Sequence, residues 1–153
     1  MARNGISINW GGLRDALDRA TGNISDTQSL MTEIGIEMKR QTIKRFHESV
    51  GPDGEAWAAV KNPRKDSRGR PRNGRAKPLL DTGRLRNSIS FSAGPFDVHV
   101  GSNVEYARIH QLGGQAGRGR SVTIPARPYL GLSEEDAQEI ADLVKDHMEG
   151  SFD

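Results

Sequence analysis

Apolar residues recur along this chain in short, separate patterns. Ile6, Ile8 and Trp10 alternate, which predicts a short strand stopped by Gly11-Gly12. Leu13, Ala16, Leu17 and Ala20 then share one face over a turn and a half of helix. The longest pattern follows. Leu30, Ile34, Met38 and Phe46, with Met31 and Ile43 alongside, fit a helix over 26–48. Ser25 or Asp26 can cap it, and Gln28 is placed to return the capping bond to Ser25. Gly51-Pro52-Asp53-Gly54 ends it in a tight turn, with glycine accepting positive φ. Trp57 anchors the chain beyond that turn.

Residues 61–78 hold Pro63, Gly69, Pro71, Gly74 and Pro78 and no periodic pattern, so they read as a long mobile loop. Order returns at Leu79-Leu80-Asp81-Thr82-Gly83, where Thr82 caps a short helix carrying Leu85 and Ile89. Ile89, Phe91 and Ala93 alternate, Gly94 to Asp97 turns, and Val98 and Val100 alternate again, which is a β-hairpin. Val104 to Leu112 forms a short helix ended by Gly113. Gly114 to Arg120 reads as a second loop, rich in Gly and Arg. Val122 and Ile124 give a further strand. The segment Pro125 to Pro128 cannot be a central strand, and makes a rigid extended lead into the last helix. Ser133 caps that helix, Asp136 closes the capping box, and Ala137, Ile140, Leu143, Val144 and Met148 face inward. The elements add up to an α+β fold in one domain, 1–153. A small antiparallel sheet carries N-terminal and C-terminal helices on one face, beside a long basic loop.

Composition makes the core thin. Hydrophobic residues are 34% of the 153, against about 45–50% in ordinary globular chains, a norm that also counts glycine. Such a chain is expected either to carry flexible segments or to gain order from neighbours. The absence of cysteine removes disulfides, thiolate zinc sites and cysteine nucleophiles. No apolar run spans a membrane and residues 1–12 lack a signal-peptide core, which predicts a soluble protein made in the cytoplasm. The net charge of +2 conceals a polarity. Between 61 and 77 stand eight cations, Lys61, Arg64, Lys65, Arg68, Arg70, Arg72, Arg75 and Lys77, against Asp66 alone. Between 133 and 153 stand eight carboxylates against Lys145 alone.

Catalytic and cofactor chemistry finds no foothold. His47, His99, His110 and His147 lack zinc-ligand spacing, and no nucleophile elbow is present. Gly113 to Arg120 looks like a phosphate loop but lacks the Gly-Lys-Ser/Thr ending. The expectation is no enzyme, no metal and no cofactor. The basic stretch 61–77 can neutralise phosphates without reading sequence, though no aromatic is interleaved to stack on bases. A nonspecific nucleic-acid-binding module is therefore the alternative reading, with duplex affinity falling steeply with salt.

Four segments together resemble the phage virion morphogenesis family, the tail-completion proteins of Mu-like and related tailed phages. The first is Phe46, Pro52-Asp53-Gly54 and Trp57, followed by basic residues. The second is Leu79 to Leu85, leading to Ser88-Ile89. The third is Gly101-Ser102, Tyr106-Ala107 and Ile109 to Gly114. The fourth is Ile124 to Ser133 and the amphipathic helix after it. The resemblance runs from about residue 25 to 149, and residues 1–24 add nothing diagnostic. It implies a structural protein of the virion at the head–tail junction, or neck, closing into a hexameric ring. Implied partners are further copies, the tail terminator or tail tube, and the head connector, with DNA nearby and no membrane. The motif positions become interface candidates: Asp53, Gly54, Trp57, Thr82, Gly83, Tyr106, His110, Gln111, Gly113, Pro125, Arg127 and Pro128. Arg127, held between two prolines, is placed for a bidentate carboxylate contact, with Glu105 or with the acidic helix of another copy. His110 and Gln111 are expected to fix local hydrogen bonds. The basic stretch reads as a docking arm.

Overall fold

The computed structural model describes residues 4–9, 24–71 and 77–150. Its longest element, α1 (Ile24–Glu48), follows the helical periodicity of the chain. Leu30, Met31, Ile34, Met38 and Phe46 are buried along one face, Ile43 is half-buried, and Ile36 is exposed. The helix starts at Ile24, so Ser25 and Asp26 belong to its first turn and do not precede it as caps. Gln28 is used elsewhere. Its Nε2 donates to the Ala93 carbonyl at 2.8 Å and ties the helix to the sheet. Trp10 and the helical pattern at 13–20 lie outside the described residues.

Strands β1 (Asn4–Asn9), β2 (Ser90–Ala93) and β3 (Asp97–Ser102) form an antiparallel sheet in the order β1-β3-β2. The hairpin stands where the alternation placed it, with Phe91 opposite Val100 and Ala93 opposite Val98. The Gly94 N–H closes its turn on the Asp97 carbonyl at 2.8 Å. On the other edge of β3, Ile6 and Ile8 are in register with Val100 and Val98. Helix α1 lies across β2 and β3, above the buried Val98 and Val100. Gly35 sets that approach: a Cβ there would run into the Phe91 ring.

Two short helices flank the hairpin, α2 (Arg84–Asn87) and α3 (Ala107–Leu112). The residue capping α2 is Gly83, at φ 73°, and not Thr82. The Thr82 hydroxyl still accepts from the Arg84 N–H at 3.3 Å, one position early. Ile89 lies past the end of α2, buried on the way into β2. Helix α3 starts at Ala107, later than Val104, and the Gly113 N–H closes it on the Ile109 carbonyl at 2.8 Å.

The predicted Gly- and Arg-rich loop is instead half of a second sheet. Strand β4 (Gly114–Ala116) pairs with β5 (Val122–Ile124), and a 3-10 turn at Arg118–Arg120 joins them. Glycine carries no side-chain alternation, so a strand built from Gly114 leaves no pattern to read. The ladder to β5 forms from backbone groups alone.

Helix α4 (Glu134–Gly150) opens with the expected capping box. The Asp136 N–H donates to Ser133 Oγ at 3.0 Å, and the Ser133 N–H donates to Asp136 Oδ2 at 2.8 Å. Asp136 also pairs with Arg45 of α1, both side chains buried. With Asp136 aimed at α1, Ala137 turns outward and is exposed, against expectation. Ile140 is buried, while Leu143, Val144 and Met148 are half-buried against the core. The architecture is α+β, with α1 packed on the main sheet and α4 packed against α1.

Candidate functional site

Three of the four motif segments meet in one aromatic knot. The Phe46 ring lies 5.6 Å from Trp57, edge to face, and 5.3 Å from Tyr129. Trp57 Nε1 donates to the Pro128 carbonyl at 2.9 Å, and the Tyr129 hydroxyl donates to the Ala107 carbonyl at 2.9 Å. Burial pushes that hydroxyl up to about 12. Segments one, three and four are thereby pinned together. Ser88 Oγ and Ser102 Oγ, 2.6 Å apart, link the second segment to the third.

Gln111 acts as a piece of backbone. Its Oε1 accepts from the N–H groups of Tyr129 and Leu130, each at 3.0 Å, and its Nε2 donates to the Leu130 carbonyl at 2.9 Å. That is the local bonding expected of it. His110 differs: its Nδ1 is buried with no hydrogen-bond partner among the described residues. Its ring stands edge-on to Tyr106 at 5.7 Å. Burial, and then the charge of Arg127, hold its pKa below the ordinary histidine value.

Arg127 corrects the intrachain half of the sequence reading, the pairing with Glu105. It meets no carboxylate among the described residues, and Glu105 is exposed. Its Nε donates to the Ala58 carbonyl at 2.7 Å and its Nη2 to the Ala59 carbonyl at 3.1 Å. The two prolines hold the segment extended alongside 57–59, and two successive carbonyls fit the guanidinium fork as a carboxylate would. Burial lowers the Arg127 pKa.

Around Arg127 opens a groove of about 710 Å³. It gathers Thr82, Gly83, Tyr106, His110 and Arg127, which come from three of the four segments. Its floor is apolar, with Val60, Leu79, Leu80, Leu85 and Ile124. Four cations line it, Arg64, Lys77, Arg84 and Arg127, against one carboxylate, Asp81. Arg64 pairs with Asp81 at 3.3 Å, and Lys77 Nζ donates to the His47 carbonyl at 3.1 Å. The basic stretch thus borders the groove. The remaining motif positions lie elsewhere. Asp53, Gly54 and Pro128 line a second hollow, while Trp57 is buried. Gln111 and Gly113 hold backbone, and Pro125 leads into Arg127.

The described part of the basic stretch is more ordered than a patternless loop. Asp66 Oδ1 accepts from the Arg68 and Arg70 N–H groups at 2.8 and 2.9 Å, and a bridge between Lys65 and Pro71 closes the turn. Lys61, Arg64, Lys65, Arg68, Arg70 and Lys77 are all exposed. Arg72 and Arg75 lie outside the described residues. Arg84 and Asp81 were part of a quoted motif without being singled out as site residues, and they form much of the groove rim. The cluster of unlike charges at Asp81 to Arg84 was the available signal. Among the described residues no group of His, Asp or Glu could hold a metal, and no helix is long and apolar enough to cross a membrane.

Residues 8–149 match the model of the phage virion morphogenesis family. The chain is 34% identical to Mu-like prophage FluMu G protein 2 of Haemophilus influenzae, over 90% of this chain and 89% of that one. It is 28% identical to tail completion protein S of Escherichia phage P2, over 86% and 94%. Mu-like prophage FluMu G protein 1 of Haemophilus influenzae is 25% identical, over 76% of each chain. No solved structure is significantly similar.

Proposed function

This chain belongs to the phage virion morphogenesis family, and from that membership we propose that it completes the tail and joins it to the head as a structural protein of the neck. The similarity to a tail completion protein supports the first half of that reading. The observation that carries the second is the cationic groove, where three motif segments and the basic stretch share one open surface. A groove with an apolar floor and a charged rim is suited to holding a segment of another protein.

The mechanism is binding and geometry, with no chemical step. Copies close into a ring, six by the family resemblance, dock on the tail end and present a surface to the head connector. The chain works as one domain, a reading supported by the Arg45–Asp136 pair that fastens the terminal helix to α1. The basic stretch serves as the docking arm beside the groove, because a sticky cationic lining would slow DNA passing through a ring.

Electron microscopy of lysates from a phage with an early stop in this gene tests the reading. Full heads beside separate tails are expected, and joined particles would overturn it. Deleting 62–76 is expected to give the same unjoined heads and tails while the subunit keeps its fold.

A further inference from the structure

We propose that the Arg127 groove of one copy receives carboxylates from helix α4 of a second copy. The proposal deepens the ring reading above and rests on it.

Arg127 is the reason. Only 8% of the residue is exposed, and a guanidinium keeps its charge inside proteins. Two of its nitrogens are held by backbone carbonyls, and Nη1 has no acceptor among the described residues. No carboxylate among those residues lies within ion-pair distance. A buried charge without a counter-ion is costly, and an incoming carboxylate relieves that cost. The rim adds Arg84, exposed and without an ion-pair partner among the described residues. The one acidic rim residue, Asp81, is engaged with Arg64. Beneath lie Leu79, Leu80 and Ile124, which keep water from a contact made there and so strengthen it.

The same chain carries the complement. Glu135, Glu139, Asp142, Asp146 and Glu149 recur at alternating helical spacings, forming one stripe down α4. The start of the stripe is satisfied within the chain. Glu135 faces Lys44 at 3.9 Å, and Glu139 accepts from Gln41 at 2.6 Å. Farther along, Asp142 accepts from Gln138 at 3.0 Å and meets no cation among the described residues. Asp146 likewise has none there. Among the described residues one chain therefore offers two groove cations without a carboxylate, Arg84 and Arg127, and, on another element, two carboxylates without a cation, Asp142 and Asp146, while Glu149 pairs with Lys145. Two different complementary patches on one chain make a head-to-tail contact, the kind that closes into rings.

Charge reversal tests it on the full chain. R84E, and separately D142K/D146K, are expected to weaken self-association by roughly tenfold or more in sedimentation, and combining them to restore it. Both sites are exposed, and circular dichroism verifies folding. Because the chain has no cysteine, mixing R84C with D146C copies provides a second measure. A disulfide between copies is expected, in solution or in assembled particles. Association that ignores both reversals, with no such crosslink, overturns the groove contact and leaves the ring standing. Monomers at every concentration, with no crosslink in particles, overturn both.

Discussion

The Nε of Arg127 donates to the Ala58 carbonyl across 2.7 Å. Its Nη2 reaches the next carbonyl, of Ala59, at 3.1 Å. One side chain thereby fastens the segment after Trp57 to the segment between Pro125 and Pro128. R127A leaves both carbonyls without their charged donor and is expected to cost about 2–3 kcal/mol. R127K should recover part of this, since an ammonium cannot reproduce the planar fork. Urea unfolding of the two variants checks the order.

Asp136 is the only carboxylate paired with the buried Arg45 among the described residues. Arg45 Nη1 also donates to the Gly131 carbonyl at 2.9 Å, so it holds α4 and the loop before it together. D136N strands the guanidinium and is expected to cost about 3–5 kcal/mol. R45M/D136L should cost clearly less than the two single changes summed. A thermal double-mutant cycle measures the difference.

Gln111 satisfies three backbone groups at Tyr129 and Leu130. Q111A is expected to lose about 2–3 kcal/mol. Amide hydrogen exchange should show the Tyr129 and Leu130 N–H groups losing protection before the core strands do. Equal protection in both forms would contradict this account.

Gly113 and Gly54 both have positive φ, at 72° and 78°, yet their surroundings differ. A Cβ on Gly113 would stand 2.8 Å from the Ala126 nitrogen, while one on Gly54 meets nothing within 4 Å. G54A is expected to cost about 1 kcal/mol from backbone strain alone. G113A adds a clash with backbone and should cost visibly more. Differential scanning calorimetry of the pair separates the two contributions.

His110 makes stability depend on pH. Its pKa is depressed below the ordinary 6.5, by burial first and by Arg127 second. The unfolded chain takes up a proton near 6.5, and the folded chain only at lower pH. The contribution is therefore complete above 6.5 and is lost as pH falls toward the folded value. Glu37, drawn down to about 2 chiefly by its bond from Arg40, acts in the same sense but between 4.5 and 2. Glu139, raised by sharing with Glu37, acts in the opposite sense. Comparing H110F with the parent chain isolates the histidine. The parent melting temperature should drop more steeply than that of H110F as pH falls from about 7 to about 5.5. Parallel curves would rule the effect out.

Long periodic segments were readable before the structure. Helix α1 and the Ser133–Asp136 box announced themselves, because a helix repeats one face many times and a capping box needs only two residues at fixed spacing. The β2–β3 hairpin was equally plain from alternation about a turn. Strand β4 was not, because glycine leaves no side-chain record of the face it presents. The partner of Arg127 within the chain is not Glu105 for a related reason: a guanidinium fork fits two successive carbonyls as well as a carboxylate, and only position tells them apart.

The sequence by itself determined most of the element types, though not β4, the charge polarity and, through four ordered motifs, the family. These depend on neighbours along the chain or on residue identity alone. Tertiary structure decided what the motif residues do. Trp57, Tyr129 and Gln111 became internal fasteners, while Thr82, Gly83, Tyr106, His110 and Arg127 came to line one cationic groove beside Lys77 and Arg64. Those positions are separated by tens of residues. Their meeting depends on how α1, the hairpin and the Pro125–Pro128 segment close around the Phe46, Trp57 and Tyr129 rings, a packing relation that no local pattern encodes.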